Sequence, residues 1–254
     1  MINIMLNGVL GRMGEALVRL ISEREDVTVS CGVDPAFSGQ KSFPFPVFTS
    51  PEEIPEETVC DVIIDFSHFS AVPALLKFAL KRSIPVVLCT TGLPEETKKL
   101  AEEASRKIGV FSSANMSLGV YVLRKLAKDA AILLGEDFDI EIVEKHHNNK
   151  LDAPSGTALA IADTLNDARN GSLEYTYDRH SRRAKRNKSE IGISSVRGGN
   201  IVGDHEVIFA GRNEVIELTH RAQSREVFAD GALKAAVFMA GRPAGKYDME
   251  DLFK

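Results

Sequence analysis

Apolar runs at residues 2–6, 27–33, 61–66, 85–89 and 110–112 alternate with helical spacing at the start of the chain. Buried strands that alternate with helices leave few architectures open. They make a parallel sheet, wound by right-handed crossovers whose helices cover its faces. Such sheets bind their ligands outside the carboxyl ends of the strands. The segments expected to converge there are residues 8–13, Asp34, 66–67, 89–92 and 113–116.

The first strand runs into NGVLGRMGEALVRLI, where Gly8, Gly11 and Gly14 precede a helical pattern through Ala16, Leu17, Leu20 and Ile21. Glycines let the backbone turn tightly and approach a pyrophosphate, which rests on the helix N-terminus. This is a variant of the dinucleotide-binding turn, because Leu10 stands where the common form has its middle glycine. The second strand, VTVSCGV, ends at Asp34, where a ribose-binding carboxylate belongs. An acid there favours the unphosphorylated ribose of NADH, and the next residue is Pro35 rather than an arginine for a 2′-phosphate. Nearby basic residues such as Lys41 could still admit NADPH. Asp34 is also readable as a simple turn residue before proline.

Beyond a long helix over 116–134 the period changes. Residues 138–146, 191–197, 201–210 and 215–220 read as strands, with one helix near 155–168 among them. Strands without intervening helices imply a mixed or antiparallel sheet and a second domain. A last helix spans 227–240. The expected fold is therefore α/β: an N-terminal Rossmann-type parallel sheet plus a second α+β domain with a mixed, largely open sheet.

Within the second domain, residues 144–158 read EKHHNNKLDAPSGTA. FDIEIV before them alternates as a half-buried strand, and TALAIADTL after them is a helix that Ser155 or Thr157 can cap. His146, His147 and Lys150 thus sit on a strand-to-helix loop beside a helix N-terminus, a ready anion site. A lysine, two imidazoles, a hydroxyl and helix-end amides suit a small substrate carrying carboxylates, and histidine can move a proton at neutral pH. The plainer reading is a polar loop whose histidines bond backbone. Adjacent histidines can ligate zinc, but no further ligand stands at a recognisable spacing, so no metal is expected.

Charged residues are 26% of the chain and hydrophobic residues 44%, an ordinary globular balance. A formal net charge of −5 gives nucleic acid no support as a partner. RHSRRAKRNKSE at 179–190 is the exception, and in an acidic protein it reads as a mobile solvated loop. Cys31, Cys60 and Cys89 lie far apart in or beside apolar runs and read as reduced buried thiols, which fits the cytoplasm. The N-terminus does not read as a signal peptide, and no apolar run approaches the ~20 residues of a membrane span.

Taken together, the chain resembles the 4-hydroxy-tetrahydrodipicolinate (dihydrodipicolinate) reductases of diaminopimelate and lysine biosynthesis. The resemblance rests on GVLGRMG at Gly8, DFS at Asp65, TTG at Thr90, SANMSLGV at Ser113, EKHHNNKLDAPSGTA, SSVRGGNIVGDHEV at Ser194, THRAQSR at Thr219 and YDMEDL at Tyr247. Cys89 replaces the family's usual glycine before TTG, and Asn148 and Asn149 replace more basic residues. The resemblance implies reduction of a cyclic imine dicarboxylate by NADH or NADPH. It makes His146 a proton donor or acceptor and Lys150 the second proton donor, with His147, Gly156 and Thr157 holding a carboxylate. For the cofactor it implies Gly8, Val9, Leu10, Gly11, Arg12, Met13, Asp34, Cys89, Thr90, Thr91, Ser113, Ala114, Asn115 and Met116. It also implies a dinucleotide-binding domain over 1–116 and 225–254, a substrate-binding and oligomerisation domain over 117–224, and a homotetramer. Family members close the two domains over their ligands, with chain crossings here near 115–119 and 223–226.

Two other readings compete. A different two-domain reductase would explain the first 115 residues but not the histidines and lysine before PSGT. A dinucleotide-sensing regulator would need a DNA-reading or partner-binding second domain, and no helix-turn-helix pattern is present.

Overall fold

A computed structural model describes residues 1–181 and 183–254. Arg182, part of the basic run, lies outside the described residues. The chain divides into two compact units, one of residues 1–117 with 226–254 and one of residues 118–225.

The first unit is built on β1 (Ile2–Asn7), β2 (Val27–Val33), β3 (Val47–Phe48), β4 (Val62–Asp65), β5 (Val86–Leu88), β6 (Gly109–Ser112) and β12 (Gly245–Tyr247). These form a seven-stranded sheet in the order β12-β6-β5-β4-β1-β2-β3, parallel throughout. Strand order reverses between β1 and β4, the crevice where such sheets bind ligands. Its helices are α1 (Arg12–Ser22), α2 (Val72–Arg82), α3 (Glu95–Ser105) and α6 (Glu226–Met239). β4 and β5 are buried at every position, as expected of strands covered on both faces. The proline-rich segment between β2 and β4 supplies no crossover helix, only β3 and a short 3-10 turn. Pro94 precedes α3, with ψ 153 in the extended region. β12 was not foreseen, because GKY carries no apolar alternation to announce it.

The second unit holds α4 (Leu118–Leu134), β7 (Asp139–His146), α5 (Gly156–Ala168), β8 (Glu174–Thr176), β9 (Glu190–Arg197), β10 (Gly203–Ala210) and β11 (Val215–Ala222). Its five-stranded sheet runs β11-β10-β7-β9-β8. β10 is antiparallel to β11 and β7, whereas β9 is parallel to β7 and β8, so the sheet is mixed. One face packs on α4 and α5 through Ile140, Ile142, Ile161, Leu165, Val207 and Phe209. β7 alternates strictly between buried and half-buried positions, and its inward set is Ile140, Ile142, Glu144 and His146. The alternation that buries two isoleucines therefore also drives an acid and a histidine into the interior.

Most of the described residues of the basic run are exposed, as expected of a solvated loop, but two of its arginines are held. Arg186 Nη1 lies 2.9 Å from Asp139 Oδ1 and its Nε 3.1 Å from Glu141 Oε1. Arg179 reaches Glu141 and Glu190, each at 2.6 Å. Acids on β7 and β9 thus hold the two arginines against the sheet. Among the described residues no helix is long and apolar enough to cross a membrane.

Phe209 is fully buried in the second core, so Phe209→Ala should destabilise the protein by about 3–5 kcal/mol. The exposed control Glu102→Ala should stay within about 0.5 kcal/mol. Urea unfolding followed by circular dichroism measures both.

Candidate active site

In the first unit the site begins as backbone. Gly8 has φ +85, a left-handed conformation that favours glycine, and a Cβ there would lie 2.7 Å from the carbonyl oxygen of Phe66. The chain therefore passes the end of β4 at a distance only glycine allows. The turn closes when Gly11 N–H donates to Gly8 O at 3.1 Å. Gly11 then precedes α1 without a side-chain cap, leaving the first-turn amides of the helix to a ligand. Leu10 N–H donates to Asp34 Oδ2 at 3.1 Å, so structure joins the turn to the acid predicted for the ribose. Arg12 is exposed and Val9 is buried beneath the turn. These features fit a dinucleotide: a cradle that a Cβ would fill, helix-end donors and a carboxylate beside them.

A hub that sequence reading left out of the site ties the neighbouring loops together. Asp65, fully buried at the end of β4, accepts from Asn7 Nδ2 at 2.8 Å, Ser67 Oγ at 2.6 Å and Thr90 Oγ1 at 2.7 Å. It thereby aligns the ends of β1, β4 and β5. Cys89, beside Thr90, is buried, and burial followed by the Asp65 charge pushes its thiol pKa well up. Thr91 is exposed. Ser113 Oγ donates to the Asn115 carbonyl at 2.8 Å, and Asn115 Oδ1 accepts from Ser117 N–H at 2.8 Å, which shapes the 113–117 loop after β6. Ala114 is exposed and Met116 buried in the same loop.

The second unit gathers side chains instead. Glu144 is fully buried, yet Arg197 grips both its oxygens, Nη1 to Oε2 at 2.9 Å and Nη2 to Oε1 at 2.7 Å. Ser155 N–H donates to Oε1 at 3.2 Å, and His146 Nδ1 lies 2.5 Å from Oε2. Burial pushes the Glu144 carboxyl up, but hydrogen bonds from Arg197, Ser195 and His146 outweigh it and leave the group at about 2. For His146, burial lowers the pKa, and the charges of Lys150 and Arg197 add to that effect against the pull of Glu144.

Lys150 Nζ pairs with Asp152 Oδ1 at 2.7 Å, while Arg197 Nη2 also donates to the Asp152 carbonyl at 2.7 Å. One lysine N–H is so engaged, and an ammonium has three. Ser155, not Thr157, caps α5, its Oγ accepting from Ala158 N–H at 3.1 Å. Leu159 N–H donates to the Ser155 carbonyl. Gly156 and Thr157 supply the first two amides of the helix. Arg225 Nη2 donates to His147 Nε2 at 3.3 Å, which puts the His147 proton on Nδ1, a buried atom that meets no acceptor among the described residues.

His205 is buried on β10 opposite Glu144, with Nε2 3.1 Å from Ser155 Oγ. Burial, followed by the nearby His146, lowers its pKa to about 4. Glu144, Arg197, Ser155 and Arg225 were absent from the sequence-derived site, although strand alternation alone puts Glu144 on the same face as His146. Among the described residues no group of three or more His, Cys, Asp or Glu could hold a metal ion.

Because the folded value of His205 lies below the ordinary 6.5, the unfolded chain binds more protons between the two values. The stability that neutral His205 contributes is whole above 6.5 and is lost as pH falls toward about 4. His205→Gln should remove that part of the slope, worth about 1.4 kcal/mol for each unit of separation. Chemical unfolding of both proteins at a series of pH values across this window measures the difference.

Comparison with known proteins covers the whole chain. The family model described as dihydrodipicolinate reductase, N-terminus, matches residues 2–116, and the one described as dihydrodipicolinate reductase, C-terminus, matches residues 119–253. A 4-hydroxy-tetrahydrodipicolinate reductase from Caldanaerobacter subterraneus is 54% identical, over 100% of this chain and 99% of that protein. One from Clostridium tetani is 50% identical, over 98% and 96%. The structure of a dipicolinate-bound dihydrodipicolinate reductase from Paenisporosarcina superposes with a TM-score of 0.79 at 25% identity, covering 98% of this chain and 97% of the other. The chain belongs to the dihydrodipicolinate reductase family.

Proposed function

We propose that the loop and helix start between β7 and α5 bind a cyclic imine dicarboxylate and supply its protons. The chain is an NAD(P)H-dependent oxidoreductase that reduces the dihydrodipicolinate intermediate of diaminopimelate and lysine biosynthesis. The observation that carries the residue-level reading is one cluster. Lys150 and His146 flank a helix N-terminus whose first amides, Gly156 and Thr157, can receive a carboxylate.

When bound, NAD(P)H supplies a hydride. Gly8, Val9, Leu10, Gly11, Arg12 and Met13 would cradle its phosphates, and Asp34 would take the ribose hydroxyls. Cys89, Thr90, Thr91 and residues 113–116 would line the nicotinamide side. Asp34 favours NADH. Lys41, the basic residue nearest in sequence for a 2′-phosphate, is ion-paired with Glu15 of α1, so NADPH is the weaker cofactor. Lys150 donates a proton from its ammonium, His146 takes or gives the other, and His147 and Arg225 hold a carboxylate with the helix end. Three free cysteines, with burial pushing the Cys60 thiol up to about 12, suit a reducing cytoplasm.

Each protomer presents a second sheet face in the second unit, opposite the helices. Val143 and Ile208 are half-buried there, and Val196 is 44% exposed. We assign that face to assembly as a homotetramer. Val196→Lys combined with Ile208→Glu should shift the mass measured by light scattering toward smaller species; an unchanged mass would remove the assignment.

With imine generated in place from pyruvate and aspartate semialdehyde, loss of reduced-cofactor absorbance should be faster with NADH than with NADPH. Lys150→Ala and His146→Ala should each lower kcat roughly 10²–10³-fold while NADH affinity stays close to that of the wild type. Equal losses of turnover and cofactor affinity would sink the assigned roles. NADH binding without any imine reduction would favour the regulator.

A further inference from the structure

Glu144 and His146 leave β7 on the same inward face, and Glu144 Oε2 stands 2.5 Å from His146 Nδ1. The proton in that bond can be placed by the chemistry of the partners. Glu144, gripped by Arg197, is a carboxylate at neutral pH and has only lone pairs to offer. An acceptor-only partner requires the hydrogen on Nδ1, and a neutral imidazole then carries its lone pair on Nε2.

Nε2 in turn faces the first residue of β10. A Cβ on Gly203 would lie 3.1 Å from Nε2 and 3.4 Å from Cδ2, tighter than ordinary contact. The ring edge is thus left unroofed because residue 203 has no side chain. The charged and titratable groups around the ring come from four segments: Glu144 on β7, Lys150 and Asp152 on the loop, Arg197 at the end of β9 and His205 on β10. Of these, the anion in contact with the ring is Glu144, while His205 sits edge-on at 5.3 Å between ring centroids.

We propose that Glu144 is a positioning residue that locks His146 in the Nδ1–H tautomer, and that Gly203 keeps Nε2 open to the reacting ligand. Its consequence for turnover rests on the functional reading above. With Nε2 bare, His146 begins the cycle unable to give a proton, so the proton that balances the hydride comes from the Lys150 ammonium, which is left as the amine. Arg197 serves the same end indirectly by keeping Glu144 ionised. Aspartate in place of Glu144 would remain an acceptor-only partner for Nδ1–H; glutamine would keep a carbonyl acceptor but add an N–H donor that can bond a bare Nδ1, so it no longer dictates the tautomer.

The test is nitrogen NMR of histidine-labelled full-length protein without substrate, with the His146 signals identified by their absence in His146→Asn. Wild type at neutral pH should show Nδ1 protonated and Nε2 bare. Glu144→Gln should shift the population toward Nε2–H and lower kcat roughly 10²-fold with little change in KM, and Glu144→Asp should restore the Nδ1–H signal and part of the rate. Gly203→Ala should keep the tautomer but lower kcat/KM by at least about tenfold, the lower end of what loss of an acid–base contact costs. A wild-type Nε2–H signal overturns the assignment, as does Glu144→Gln with both tautomer and rate unchanged, or Gly203→Ala with full kcat/KM. Should Glu144→Gln fail to fold, the wild-type spectrum and Gly203→Ala still decide. Because the spectrum needs no substrate, a protein that shows Nδ1–H but reduces no imine would sink the functional reading and support the positioning role.

Discussion

A carboxylate with no access to water is the constraint on which the second unit depends. Glu144 follows Ile140 and Ile142 on the inward face of β7, where the core ends. An unpaired charge there would cost several kcal/mol, and removing one partner of such a buried pair costs about 3–5 kcal/mol. Arg197 answers it with both guanidinium nitrogens, which requires the end of β9 to lie beside the end of β7. The parallel pairing of β7 and β9 provides this register, with His146 opposite Arg197. The Ser155 N–H adds a further donor at the start of α5. One buried anion thus sets the position of an imidazole, an arginine and a helix end.

The first unit solves its binding problem by other means. Its groups are mostly backbone: a left-handed glycine, an uncapped helix start and a tight turn. Its one buried carboxylate, Asp65, is satisfied by an amide and two hydroxyls rather than by a cation. Neutral donors suit a strut that aligns three strand ends, because they hold the carboxylate without adding a second charge there. A backbone site also tolerates variation in side chains, so Leu10 can stand where a glycine is common. What it does not tolerate is a Cβ at Gly8, 2.7 Å from a carbonyl oxygen.

This difference in construction explains how far the sequence could be read. Backbone sites need particular residues at particular spacings, so the glycine turn, Asp34 and the parallel sheet were legible from patterns of one residue type. The His146–Lys150 loop was legible because its residues are adjacent in the chain. Glu144 was overlooked although it lies two residues from His146, since an acid on an alternating strand reads as solvent-facing until the strand's phase is set by its neighbours. Arg197 and Arg225 could not be linked to the loop by spacing, because each meets it across a gap of more than fifty residues. Arg179 and Arg186 looked like a solvated basic run for the same reason. Their acidic partners, Asp139 and Glu141, sit on β7, some forty residues upstream.

By itself, then, the sequence determined the class of fold, the family, the glycine turn after β1 and the loop between β7 and α5, because each is written in local periodicity or in contiguous residues. Only the tertiary structure decided which charges are paired, which partner His205 meets and which nitrogen of His146 is bound to an acid. Those questions turn on burial and on contacts between distant strands. A carboxylate in water and one in a core have the same letter, and only the packing around Glu144 tells them apart.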